Sequence, residues 1–239
     1  MRAVNDSLVT LEEKGRDDME KPFMNISIEI YSDVICPWCY VGKRRLERAL
    51  GQLRDRAQAQ ISWRPFQLNP TMPPEGVDRT AYLKAKFGTL ENFGRMKDQL
   101  LAAGEEEKIL FAFDKIHRTP NTFAAHRLVW YAAQRGKQDE VMEALFRMYF
   151  LEGKNIGDVK DLTHVAVEVG LDRKETEHFL ASDNGTVEVK SEEAVGRRLG
   201  IRGVPYFVFN GRISISGAQP PDIIVAAIQN LADHGRIQL

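Results

Sequence analysis

Cys36 and Cys39 are the two cysteines of the chain, and Pro37 and Trp38 separate them. Thiols at this spacing suit reversible disulfide exchange or half of a zinc site, and two ordinary cysteines give the same pattern. The choice depends on what carries them. The first N–H groups of a helix lack partners and hold a partial positive charge, so a thiolate placed there is stabilised and nucleophilic. A second cysteine three residues on lies one turn deeper on the same face. In that setting Cys36 attacks and Cys39 resolves the mixed disulfide.

The flanking residues predict that setting. Residues 26–31, ISIEIY, alternate in the manner of a strand. Ser32, Asp33 and Val34 lead out of it. Pro37 suits a first helical position, and Leu46, Ala49, Leu50 and Leu53 recur at spacings of three and four. Residues 60–67, QISWRPFQ, predict a second strand, parallel to the first in a right-handed βαβ unit. A C-x-x-C pair that opens a helix after a strand in such a unit is the setting of a redox motif.

From residue 78 to about 199 the pattern is almost wholly helical. Helices are predicted over 79–86, 90–103, 122–135, 139–150, 159–169, 173–181 and 186–199, with Asp139, Asp158 and Asp172 as N-caps and Gly136, Gly170 and Gly200 as stops. Strands return at 204–210, VPYFVFN, then an Asn210-Gly211 turn and a strand over 212–216. A last helix starts at Pro220. Proline at the head of a buried strand run needs an explanation. Either Val204–Pro205 is a cis bond in a bend, leaving the Val204 backbone to pair with an incoming peptide, or Pro205 is a trans first residue.

Composition narrows the function. Lys plus Arg is 33 and Asp plus Glu 34, a net charge of −1, which gives no argument for a nucleic-acid or membrane partner. With 43% hydrophobic and 28% charged residues the chain reads as a globular protein. Two cysteines in one motif leave none for a disulfide scaffold, and the charged N-terminal stretch does not read as a secretory signal, so a cytoplasmic protein with a transient catalytic disulfide is expected. Residues 1–24 are expected to form a mobile polar tail, and Met24 stands as an alternative start to Met1.

The phrase YSDVICPWCYVGKRRLERAL, with PNTFAAHRL around Asn121 and GVPYFVFN around Pro205, resembles the DsbA family of the thioredoxin superfamily, in particular its FrnE-like dithiol–disulfide oxidoreductases and isomerases. The resemblance spans about 26–232. It implies an α/β, thioredoxin-like fold (βαβ…ββα) with a large all-helical insertion. The thioredoxin-like part would comprise 25–70 and 200–239, and the insertion 71–199. It implies Cys36 as nucleophile, Cys39 as resolving thiol and Pro205 as a cis-proline beside them, supported by Pro37, Trp38 and Val204. It implies no bound metal or organic cofactor, glutathione or another thiol as redox partner, and a protein or small-molecule thiol or disulfide as substrate. Periplasmic members carry a histidine between the cysteines. Trp38 brings no such charge, which implies a weaker oxidant.

Asp33 reads as a turn residue or as a proton acceptor during resolution by Cys39. His126 reads as an interface histidine or, with Asp33 and Asn121, as part of a substrate groove. Glu29 receives no role. Two rival readings remain. One is a glutathione-dependent small-molecule isomerase or transferase of the kappa or 2-hydroxychromene-2-carboxylate isomerase type, although those typically carry serine where Cys36 stands. The other is a non-catalytic metal-binding or chaperone module. The sequence does not give the oligomeric state.

Overall fold

The computed structural model describes residues 23–234, so the expected tail over 1–24 lies almost entirely outside the described residues, as does the end of the chain after 234. The first unit is β1 (Met24–Ser32), α1 (Pro37–Gln52) and β2 (Ala57–Pro65). Helices α2 (Arg79–Phe87), α3 (Leu90–Glu106), α4 (Phe123–Ala133), α5 (Gln138–Phe150), α6 (Val159–Glu168), α7 (Arg173–Ala181) and α8 (Thr186–Arg198) follow. The chain then forms β5 (Tyr206–Phe209), β6 (Ile213–Ser216) and α9 (Pro221–His234). Two short strands, β3 (Val77–Asp78) before α2 and β4 (Arg118–Thr119) between α3 and α4, form an antiparallel pair. The nearly all-helical expectation is corrected there, since two-residue strands leave no periodicity to read.

The main sheet has four strands in the order β2-β1-β5-β6. β1 runs parallel to β2 and antiparallel to β5, and β5 is antiparallel to β6. This is the βαβ…ββα arrangement of a thioredoxin-like fold. The β5–β6 turn uses Asn210 at φ 49° and Gly211 at φ 64°, the two left-handed residues that a tight hairpin demands.

Alternation in β1 sets the layers. Ile26, Ile28 and Ile30 enter the main core, while Tyr31 faces the other way with Phe66 and Ile201. Glu29, on that second face, pairs with Arg64, which also reaches Glu192 of α8.

Helix α5 joins the helical block to the sheet. Its Leu145, Phe146, Tyr149 and Phe150 are all fully buried, each contributing roughly 1.5–3 kcal/mol of apolar burial. Tyr40 of α1 stacks on Phe146 with ring centroids 5.1 Å apart, and Trp63 of β2 meets the same ring at 6.2 Å. Asp158 and Asp172 cap α6 and α7 as expected. Asp139 does not cap α5; the helix starts at Gln138 with Lys137 at its N-cap. Asp139 instead accepts a 2.9 Å hydrogen bond from Trp63 Nε1. Among the described residues, no helix is long and apolar enough to cross a membrane.

Candidate active site

Cys36 is the N-cap of α1, with φ −90° and ψ 111°, and Pro37 opens the helix. A backbone turn sets this position, in which the Cys36 N–H donates to Asp33 O at 2.9 Å. Cys39 follows one turn in, its N–H donating to Cys36 O at 3.0 Å. Both are free thiols. Cys36 is 5% exposed and Cys39 1%, so the expected asymmetry in access is present but narrow. Burial pushes the Cys39 thiol well above the ordinary thiol range, and the neighbouring Cys36 adds to the rise; Ser32 and the Asp33 backbone pull against it.

Val204–Pro205 is a cis peptide bond. The segment lies against the start of α1, where the Cys36 thiol donates to Val204 O at 3.5 Å, long but within range for sulfur. Gly42 makes the approach possible, since a methyl group there would stand 2.9 Å from Pro205 Cγ and 3.2 Å from Phe207 Cζ. Thus Cys36, Cys39, Pro37, Val204 and Pro205 meet at one place.

Beside Cys36 lies a cavity of about 220 Å³. Cys36, Pro37 and Trp38 form its floor, and Leu68 a side. Arg79, Tyr82, Leu83 and Lys86 of α2, with Phe93, Met96 and Leu100 of α3, form its walls. The helical block therefore does supply a wall of the groove above Cys36, but from α2 and α3. Asp33, Asn121 and His126 are not among the lining residues, which corrects the groove expected from them. Asp33 and His126 are 0% and 3% exposed. Half-buried Asn121 spends its side chain on Met72 O at 2.6 Å and the Phe123 N–H at 2.9 Å.

The turn reading of Asp33 agrees with its geometry. One carboxylate oxygen accepts the Leu68 N–H at 2.7 Å, and the other takes a long contact from the Ile35 N–H at 3.5 Å. His126 Nε2 faces Asp33 Oδ1 at 3.5 Å without forming an aligned hydrogen bond. The pair joins α4 to the turn before Cys36 and to the segment after β2. The wall residues of α2 escaped the sequence reading, yet Arg79, Tyr82, Leu83 and Lys86 recur at spacings of three and four on one helix face.

Residues 27–229 match the family model described as a DSBA-like thioredoxin domain. The crystal structure of a probable DsbA oxidoreductase from Streptomyces coelicolor superposes with a TM-score of 0.82 at 32% identity, covering 90% of this chain and 92% of that one. The uncharacterized protein YwbO of Bacillus subtilis (strain 168) is 28% identical over 215 residues, 87% of this chain and 98% of YwbO. The cytosolic disulfide reductase DsbM from Pseudomonas aeruginosa, solved with glutathione, shares the fold, with a TM-score of 0.62 at 17% identity over 87% of this chain and 99% of DsbM.

Proposed function

This chain belongs to the DSBA-like thioredoxin domain family, and from that premise we propose that it is a thiol–disulfide oxidoreductase in which Cys36 is the nucleophile and Cys39 the resolving thiol. The observation that carries the reading is the place of Cys36, at the N-cap of α1, beside Val204 O and on the floor of a cavity. The Cys36 thiolate attacks one sulfur of a substrate disulfide, and the other half leaves as a thiolate that takes up a proton. Cys39 then loses its proton and attacks Cys36. The second substrate half departs as a thiol, and the Cys36–Cys39 disulfide forms. Two electrons have passed from the protein to the substrate, and the reverse sequence oxidises a dithiol.

Two monothiols such as glutathione, or one dithiol, return the pair to its reduced state. Glutathione is favoured because the DsbM structure was solved with it. A reducing, cytoplasmic setting agrees with two cysteines that both belong to the motif. The FrnE-like assignment within the family rests on the motif phrases alone. Trp38 supports the site by closing the cavity floor, and Val204 and Pro205 hold the bound half of the substrate near Cys36.

The test is a covalent trap. Cys39→Ser should accumulate a mixed disulfide at Cys36, seen as a mass increase that dithiothreitol reverses, and Cys36→Ser should accumulate none. A Cys36→Ser variant that exchanges disulfides at the wild-type rate would overturn the assignment. The cavity at Cys36 also favours a second reading, glutathione-dependent isomerisation of a small molecule. That activity would survive Cys39→Ser, whereas catalytic dithiol turnover would not.

A further inference from the structure

Arg79 and Lys86 stand at the cavity beside Cys36 without an ion-pair partner among the described residues. The Arg79 guanidinium donates to Thr119 Oγ1 at 3.2 Å and lies 5.7 Å from the Tyr82 ring centroid and 5.8 Å from that of Phe93. Lys86 Nζ donates to Tyr82 Oη at 2.9 Å. Tyr82 Oη is itself within 3.0 Å of Asn69 Nδ2, so the cations rest on an anchored ring. On α1, by contrast, Lys43 is matched by Glu47, Asp139 and Glu143. The two unmatched charges border a chamber whose other walls are apolar.

The inner space of this half-open chamber suits a small group. An apolar cavity of roughly 150 Å³ holds one benzene ring, so about 220 Å³ admits a single ring with a short substituent. Because Cys36 is only 5% exposed, a group that reaches its sulfur through this side must enter the chamber. A slim low-molecular-weight disulfide fits that path better than a folded polypeptide loop does.

We propose that the cavity selects small disulfides, or their thiols, whose Cys36-bonded half carries an apolar aryl group together with a carboxylate or similar anion. The ring lies among Trp38, Leu83, Phe93 and Met96, and the anion meets Arg79 and Lys86. This deepens the oxidoreductase reading and rests on it. The electron balance is that of the exchange above, with the aryl half leaving as a thiolate when Cys39 attacks and two monothiols re-reducing the protein.

The experiment measures attack by Cys39→Ser, in the full chain, on three disulfides: dithiobis(nitrobenzoate), an anionic aryl probe; dithiodipyridine, a neutral aryl one; and cystamine, a cationic aliphatic one. Each rate is divided by that of free cysteine with the same reagent, which removes intrinsic reactivity. Expected is a normalised preference of roughly tenfold for the anionic aryl probe over the neutral one, the scale of two part-exposed ion pairs. The preference should shrink at high salt and in an Arg79→Gln/Lys86→Gln double variant. Met96→Trp, which fills the chamber, should lower the rate with both aryl probes relative to cystamine. Thermal unfolding verifies that each variant is folded.

Equal normalised rates for all three probes would overturn the selectivity and leave disulfide exchange standing. Reaction at Cys36 with none of them would overturn the oxidoreductase reading as well. A neutral peptide disulfide with phenylalanine beside its cysteine, reacting faster than the nitrobenzoate after the same correction, would make the chamber a polypeptide side-chain site and overturn the small-molecule inference.

Discussion

Gly42 of α1 lies directly beneath the Pro205 ring, so close that a Cβ at Gly42 would sit 2.9 Å from Pro205 Cγ. This absence of a side chain lets the loop before β5 reach the helix that carries Cys36. Gly42→Ala would gain about 0.5–1 kcal/mol of helix preference, but overpacking against a buried proline costs about 1–3 kcal/mol. A net destabilisation of about 1 kcal/mol is expected, read as a lower urea midpoint, with slower mixed-disulfide formation because Val204 O is displaced from Cys36. An unchanged midpoint and exchange rate would show that the contact is not a constraint.

The two thiols should behave unequally. Cys36 is the N-cap of α1 and borders the cavity, so a reagent can reach its sulfur. Burial holds Cys39 well above the ordinary thiol range, so it stays protonated at neutral pH. Iodoacetamide at neutral pH should therefore modify Cys36 first, and only raised pH should bring Cys39 into reaction. Peptide mass spectrometry over a time course checks the order. Matching rates at the two sites would remove the basis for dividing attack and resolution between them.

A second linkage concerns Lys43, whose side chain is 4% exposed and reaches Asp139 and Glu143 at 3.2 Å each, with Glu47 as a further partner. Burial opposes the Lys43 charge, but Asp139, Glu47 and Glu143 outweigh it and raise its pKa. That contribution is complete below the ordinary lysine value of about 10.4 and is lost as pH rises through the higher folded value. Glu143 behaves oppositely: burial would raise its pKa, yet Lys43 and Arg44 lower it. Its contribution is present above the ordinary value of about 4.3 and fades as pH falls through the lower folded one. Lys43→Met should cost about 2–3 kcal/mol at neutral pH, less than fully orphaning a buried charge, because Asp139 and Glu47 are part-exposed and Glu143 keeps Arg44 and Tyr40. It should also flatten both limbs of the stability profile. Denaturant melts across pH measure this, and a variant with a wild-type profile would refute the coupling.

The sequence carried the order of elements well, because strands 26–31 and 204–210 and the helices after residue 78 have clear periods. It also brought Cys36, Cys39 and Pro205 together through the family resemblance, with Gly203-Val204-Pro205 as the second marker. It did not carry the cavity. The face of α2 formed by Arg79, Tyr82, Leu83 and Lys86 was periodic, but nothing local says which element that face meets. Asp33 shows the same limit. Its turn was readable, whereas its bond to Leu68, 35 residues on, and its approach to His126 depend on tertiary packing. Asp139 failed as a cap because Trp63 Nε1 and Lys43 claim its carboxylate from other elements.

Asp33 yields the last prediction. Its carboxylate is fully buried, accepts the Leu68 N–H at 2.7 Å and faces His126. Asp33→Ala removes an acceptor from a buried donor, which costs about 1–3 kcal/mol, and leaves His126 facing a void. A loss of about 2–3 kcal/mol is expected from the two effects together. Asp33→Asn keeps one oxygen that can still accept from Leu68, so it should lose less than half as much. Because the Asp33 carboxylate serves the turn, Asp33→Asn should also resolve a preformed Cys36 mixed disulfide at the wild-type rate, followed by rapid quench and mass spectrometry. Slow resolution in a variant of near wild-type stability would instead show that the carboxylate takes the Cys39 proton, and the turn assignment would fall.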